Sequence, residues 1–313
     1  MTNLSEFTFL SSDGKTQLHG MLWEPEGVAV RAVLQICHGV AEHIARYDGF
    51  ARALNEQGIV VAGHDHLGHG KSLPEDGTPV YFGDGNTWNT VVDDIYVLHQ
   101  RLKQRYPDVP LCIMGHSMGS FLTRTYLIRY PGTVKAAVIM GTGWQPRAAI
   151  TGGLALANAI AAVSGENATS ELVTELAFGS YNKLFAPNRT KVDWLSADES
   201  NVDDYIADPL CGADATVGLF RQMLHGIRFN QRQSHLRQMD REMPVLFVAG
   251  DKDPVGNCGK GVRQTYDAFR AAGMRDCTLK LYPGLRHEIL NEKAYTADIT
   301  KNIEAWLLSR LEK

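Results

Sequence analysis

The stretch PLCIMGHSMGSFLTRTYLIR, residues 110–129, decides the fold. Its first five residues form an apolar run of the kind that buried parallel strands show, and residues 121–129 read as a helix. Between the two lies Gly115-His116-Ser117-Met118-Gly119, a Gly-x-Ser-x-Gly pattern in strand–turn–helix context. A serine hydroxyl is a weak nucleophile, so chemistry at Ser117 requires a sharp turn that exposes its oxygen at the sheet edge. Glycines on either side remove the β-carbons that would collide in such a turn. The competing reading is a tight glycine-rich turn with an idle serine, and the downstream partners decide between the two.

Working outward, comparable runs recur at residues 31–37 (RAVLQIC), 59–63 (IVVAG), 134–140 (VKAAVIM), 244–249 (PVLFVA) and 277–282 (CTLKLY). Helical patterns lie between and after them: Val91, Ile95, Leu98 and Leu102 share one face, as do Ile299, Ile303, Trp306 and Leu307. Strand and helix in alternation predict an α/β fold, a mostly parallel sheet with right-handed crossovers and helices on both faces. Residues 6–10 and 17–23 predict an antiparallel lead-in joined by the turn-forming Ser12-Asp13-Gly14. The rhythm breaks between Gln145 and His235, where no clear strand is visible. Residues 1–144 and 236–313 are therefore expected to form one sheet-centred core, with 145–235 inserted as a helical cap over the strand ends.

Composition narrows the function classes. The 313 residues carry 31 Lys and Arg against 35 Asp and Glu, a net charge of −4, which leaves no basic field for nucleic acid or an anionic membrane. With 44% hydrophobic residues the chain is that of an ordinary globular protein. Residues 1–10 lack the pattern of a secretory leader, so the expected location is cytoplasmic. The five cysteines are odd in number, widely spaced and without a Cys-x-x-Cys pair, which argues against a disulfide framework and a zinc site. The uncharged run 148–165 contains Gly152-Gly153, Asn158 and Ser164 and falls short of the ~20 apolar residues of a membrane span, so none is expected there.

If Ser117 is a nucleophile, an acid and then a histidine should follow it, each just beyond a later strand. The run 244–249 leads into Gly250-Asp251-Lys252-Asp253-Pro254, which offers two carboxylates. Asp251 abuts the strand end, where it can cap the loop. Asp253 precedes Pro254, which stiffens the turn, and is the marginally better candidate. The run 277–282 leads into Pro283-Gly284-Leu285-Arg286-His287-Glu288, so His287 is the expected base. Two backbone donors must hold the oxyanion: the N–H of Met118, and one from the loop His38-Gly39-Val40-Ala41-Glu42-His43, for which Val40 is the candidate. Glu42 reads better as a salt-bridged or capping residue than as an acid catalyst. His64-Asp65-His66-Leu67-Gly68-His69-Gly70 lacks a metal-site spacing and reads as a packed loop.

Taken together these residues resemble the α/β-hydrolase superfamily, and within it the monoacylglycerol lipase and lysophospholipase-like serine hydrolases. The likeness covers almost the whole chain. It rests on His38-Gly39-Val40-Ala41-Glu42-His43 with Arg46-Tyr47, on the Asp-His-x-Gly-His-Gly-x-Ser loop running from Asp65 to Ser72, and on the Gly-His-Ser-Met-Gly elbow. Asp193-Trp194-Leu195-Ser196 and Asp208-Pro209-Leu210-Cys211-Gly212 resemble segments of bacterial lysophospholipase-like members. The resemblance implies an α/β-hydrolase fold with an eight-stranded, mostly parallel sheet, and moves the acid to Asp253. It implies a serine ester hydrolase acting on small acyl esters through an acyl-enzyme, with no cofactor and no metal. An amidase, peptidase or acyltransferase is the alternative on the same fold, and would call for cap carboxylates such as Glu166, Glu171, Glu175, Asp203 or Asp204 to hold a substrate amine. In this branch the cap shapes an acyl channel, so residues 148–165 are expected to wall that channel, to touch a lipid surface transiently, or simply to pack on the core as an ordinary cap helix. Oligomeric state stays open.

Overall fold

The structure is a computed structural model that describes residues 1–311. Eight strands, β1 (Thr2–Leu10), β2 (Gln17–Pro25), β3 (Ala32–Cys37), β4 (Ile59–His64), β5 (Leu111–His116), β6 (Ala137–Met140), β7 (Val245–Gly250) and β8 (Cys277–Tyr282), form one sheet in the order β1-β2-β4-β3-β5-β6-β7-β8. β1 pairs antiparallel with β2, and β2 with β4; every later pair is parallel. The strands read as continuous apolar runs because β3 to β7 are buried on both faces. β8, at the sheet edge, is half-buried throughout.

Side chains split by alternation between two layers. In β7, Val245, Phe247 and Ala249 pack on one face, with α2 (Trp88–Arg105), α3 (Met118–Arg129) and α10 (Lys260–Ala271). Leu246 and Val248 pack on the other, with Phe50 and Leu54 of α1 (Asp48–Asn55) and Ile299, Ile303 and Leu307 of α11 (Thr296–Leu311). The helical spacings seen in α2 and α11 are thus the stripes that meet the sheet.

No strand falls between β6 and β7. That segment holds α4 (Arg147–Ser164), α5 (Glu171–Thr174), α6 (Ser180–Lys183), α7 (Glu199–Ala207), α8 (Val217–Asn230) and α9 (Gln233–Leu236). α4 packs along α8, and α8 packs on α3. There the Asn230 amide donates to Phe121 O at 2.8 Å and Thr125 Oγ1 donates to Asn230 Oδ1 at 2.8 Å. α4 runs straight through Gly152-Gly153. By length and composition it is long and apolar enough to cross a membrane, at mean hydropathy 1.3, although in the fold Ile150, Leu154 and Ala157 are buried against the rest of the protein.

The strand order reverses direction at β3, which lies between β4 and β5. A crevice opens outside the carboxyl ends of strands at such a point, where α/β proteins bind their ligands. Cys37 of β3 pairs with Gly115 of β5, so the loop beginning at His38 and the turn at Ser117 leave the sheet side by side.

Candidate active site

Ser117 is the single residue between β5 and α3, with φ 54° and ψ −121°. This left-handed backbone costs a non-glycine residue about 1–3 kcal/mol and must be imposed by its surroundings. The surroundings are tight. A β-carbon on Gly119 would lie 2.0 Å from Cys37 O, and one on Gly115 would lie 2.3 Å from Gly119 O, so both flanking glycines are demanded by close backbone approach. Ser117 N donates to Met140 O at 3.0 Å, fixing the turn to β6.

Met118 opens α3, so its N–H has no acceptor within the helix and points from a helix end that favours negative charge. Val40, Ser117 and Met118 line one cavity of about 690 Å³. Its wall is built from Phe121 of α3, Ile150 of α4, and Phe220, Met223 and Leu224 of α8. Gln145, Asn257 and Gln264 supply amides to the lining, and no Asp, Glu, Lys or Arg is among the described lining residues.

The loop carrying Val40 is held from beneath by buried charge. Glu42 accepts from Gly39 N at 2.5 Å, Tyr47 OH at 3.0 Å and Arg46 Nη1 at 2.9 Å, and lies 3.1 Å from His116 Nδ1. Arg46 also donates to both oxygens of Glu288, at 2.7 and 2.8 Å, and Asn201 of α7 donates to Glu288 at 2.8 Å. Burial alone would push the Glu42 carboxyl up. The His116 hydrogen bond and the Arg46 charge more than reverse that and hold it well below the usual range. Glu288 is likewise lowered, because Arg46 outweighs its burial. His116 is raised, because the bond to Glu42 outweighs burial. This fits the salt-bridged reading of Glu42.

Asp253 is fully buried on the loop after β7, and Oδ1 accepts from Val255 N at 2.9 Å and meets His287 Nδ1 at 3.0 Å. A carboxylate partner fixes the proton on Nδ1, leaving Nε2 of His287 bare and able to accept. Asp251 takes the other role weighed for this loop. It accepts from Gly284 N at 2.8 Å and ties the loop after β7 to the loop after β8 that presents His287. His287 is 2% exposed, its ring 4.7 Å from that of His116 and 5.1 Å from that of Trp194. Among the described residues no hydrogen bond joins Ser117 Oγ to His287; such bonds are often long without substrate.

His64, at the end of β4, and His66 and His69, on the loop that follows, are buried with their rings packed together, the His64 and His66 rings 5.0 Å apart. Burial depresses all three, His64 and His69 to about 3. His38 Nδ1 donates to Gly39 O at 2.7 Å, which frees Nε2 to accept from His66 N at 3.0 Å, so this loop shores up the one above it. Sequence reasoning gave no role to His116, Glu288 or Trp194. The only advance signal was Glu42 and Arg46 at i, i+4 spacing within the motif.

Comparison with known proteins identifies the family and the fold. The family model described as serine aminopeptidase, S33, matches residues 28–294. A monoacylglycerol lipase of Mycolicibacterium smegmatis is 30% identical over 98% of both chains. A monoglyceride lipase of Mus musculus is 28% identical over 96% of this chain and 90% of that one. The crystal structure of a thermostable carboxyl esterase from Bacillus coagulans superposes with a TM-score of 0.92 at 26% identity, covering 99% of this chain and 100% of that one. A chain with this sheet, this serine turn and a family match across most of its length belongs to the Hydrolase_4 family of α/β-hydrolases.

Proposed function

We propose that this protein is a serine carboxylic ester hydrolase of the monoacylglycerol lipase type, with residues 145–235 as the cap that selects the acyl group. The observation that carries this reading is the cavity of about 690 Å³ that reaches Ser117 without a charged side chain in its described lining. An apolar acyl chain gains by leaving water for such walls, and a charged substrate group would find no partner there.

Ser117 Oγ attacks the ester carbonyl carbon as His287 Nε2 takes its proton, and Asp253 stabilises the resulting imidazolium through Nδ1. The N–H groups of Val40 and Met118 bind the oxyanion. The tetrahedral intermediate collapses, His287 returns the proton to the departing alcohol, and the acyl group stays on Ser117. Water, deprotonated by His287, then attacks the acyl carbon; the carboxylic acid leaves and Ser117 regains its proton.

An aminopeptidase, which the family description names, needs a carboxylate for the substrate amine. The carboxylates weighed for that task are engaged elsewhere: Glu175 with Lys183 at 2.5 Å, Asp203 with Arg189 at 2.7 Å, Asp204 with Lys293 at 3.7 Å, and Glu166 with Arg221. Glu171 is exposed, and none of the five lines the cavity. Exposed Val163 on α4, at 88%, gives the cap an apolar edge toward a lipid surface. The reading is tested by kcat/KM on a monoacylglycerol, a lysophospholipid of the same acyl chain and an aminoacyl anilide. The monoacylglycerol is expected to lead, and faster turnover of the anilide would reject an esterase.

A further inference from the structure

We propose that His43, Asp208 and Cys211 form a binding site for a thiophilic divalent cation, Zn2+ foremost, that locks the helical insertion to the loop carrying Val40. The three residues come from opposite sides of one joint. His43 ends the loop that follows β3, Asp208 terminates α7, and Cys211 lies one turn further on. The His43 ring nitrogen, a carboxylate oxygen and the Cys211 sulfur all lie within 4.8 Å of one another.

The donor set selects the ion. Nitrogen, oxygen and thiolate sulfur together suit Zn2+, whereas Mg2+ and Ca2+ want oxygen alone. His43 is 8% exposed, and its Nε2 already meets Asp208 Oδ2 at 2.8 Å. Asp208 Oδ1 is taken by Leu210 N at 2.9 Å, so the other oxygen faces the cluster. On binding, the Cys211 thiol releases its proton to solvent, and the neutral His43 ring carries its proton on Nδ1 while Nε2 ligates. Two negative ligands then balance the dication, and the fourth position remains open to water. The neighbouring Arg46 guanidinium is already neutralised by Glu42 and Glu288.

The joint is organised independently of any ion. Ala41 O accepts from Gly212 N at 3.0 Å and from Tyr205 OH at 3.0 Å, two bonds from the insertion that bracket the cluster. Ala41 itself holds φ 53°, a left-handed backbone that an alanine adopts only when its neighbours fix it. The ligands are thus presented by segments already in register, and the ordering cost of binding is low.

The test is titration of the full chain with ZnCl2 by calorimetry, with CdCl2 as the spectroscopic probe, since Cd2+–thiolate bonds absorb in the ultraviolet. Wild type is expected to bind one Zn2+ per chain, to show the Cd2+–thiolate band, and to unfold at least ~3 °C higher with Zn2+ a hundredfold above Kd. Cys211→Ser and His43→Ala should each lose ~10-fold or more in affinity, and Cys211→Ser should lose the band, while Cys258→Ser, at an exposed free thiol, keeps all three signals. The absence of binding by wild type, or a band that persists in Cys211→Ser, overturns the proposal. Binding is read without turnover, so its failure leaves the esterase reading untouched, and the reverse holds.

Discussion

Ser117 occupies a backbone conformation that two flanking glycines and a bond to β6 enforce, and its side chain is small enough to reach a cavity it does not fill. Ser117→Ala is expected to lower kcat by about 10⁵–10⁶-fold with the fold intact, checked by p-nitrophenyl ester kinetics beside circular dichroism. Asp253→Asn keeps the shape but lets His287 lose the tautomer that leaves Nε2 bare; a fall of about 10⁴-fold in kcat is expected. The positions of these residues were legible because each sits just past a strand. The choice between Asp251 and Asp253 was nearly even from the residues, since both carboxylates reach the loop after β8 and only the fold shows that Asp253 meets His287 while Asp251 meets Gly284 N. Of the buried Glu42–Arg46–Glu288–His116 group only the local Glu42–Arg46 pair was legible, because His116 and Glu288 join it only when the end of β5 and the loop after β8 converge on the loop after β3.

Among elements, the parallel strands announced themselves because both faces are buried, and they start or stop within a residue or so of the apolar runs. The run 134–140 is the exception, with β6 beginning at Ala137 after a turn in which Lys135 N already bonds Leu111 O. The insertion was expected to be helical, but the pairing of α4 with α8 was not, since apolar residues on α8 face a cavity as well as a core. If that pair selects the acyl group, a carboxylate on its inner face should penalise long chains. Met223→Glu is expected to cut kcat/KM for long acyl esters by ~10-fold or more and to leave p-nitrophenyl acetate within ~3-fold. Equal losses on both substrates would argue that the side chain serves packing alone.

At the scale of the whole molecule, buried ionisable groups set the pH response. His64 and His69 are held near 3 against an ordinary 6.5, so the unfolded chain binds more protons between those values and stability falls as pH drops below about 6.5. His116 works oppositely. Its raised value stabilises the fold below 6.5, and that contribution disappears as pH rises through the folded value. Depressed Glu42 stabilises above 4.5 and is lost as pH falls through its folded value. Glu42→Gln removes the shifts that the pair impose on each other, so denaturant midpoints should place wild type furthest above the variant between about pH 4.5 and 6.5, with the gap narrowing toward pH 9; a gap that widens with pH would contradict the pairing. The chain forms one sheet in which Ser117 precedes the helical insertion and Asp253 and His287 follow it. In the proposed mechanism acyl groups pass through Ser117 on their way to water. Intact-mass and peptide mapping of enzyme acid-quenched during monoacylglycerol turnover tests it directly: an added acyl group on the peptide containing Ser117 is expected, and absent from Ser117→Ala, whereas turnover without that adduct, or an adduct elsewhere, would contradict the account.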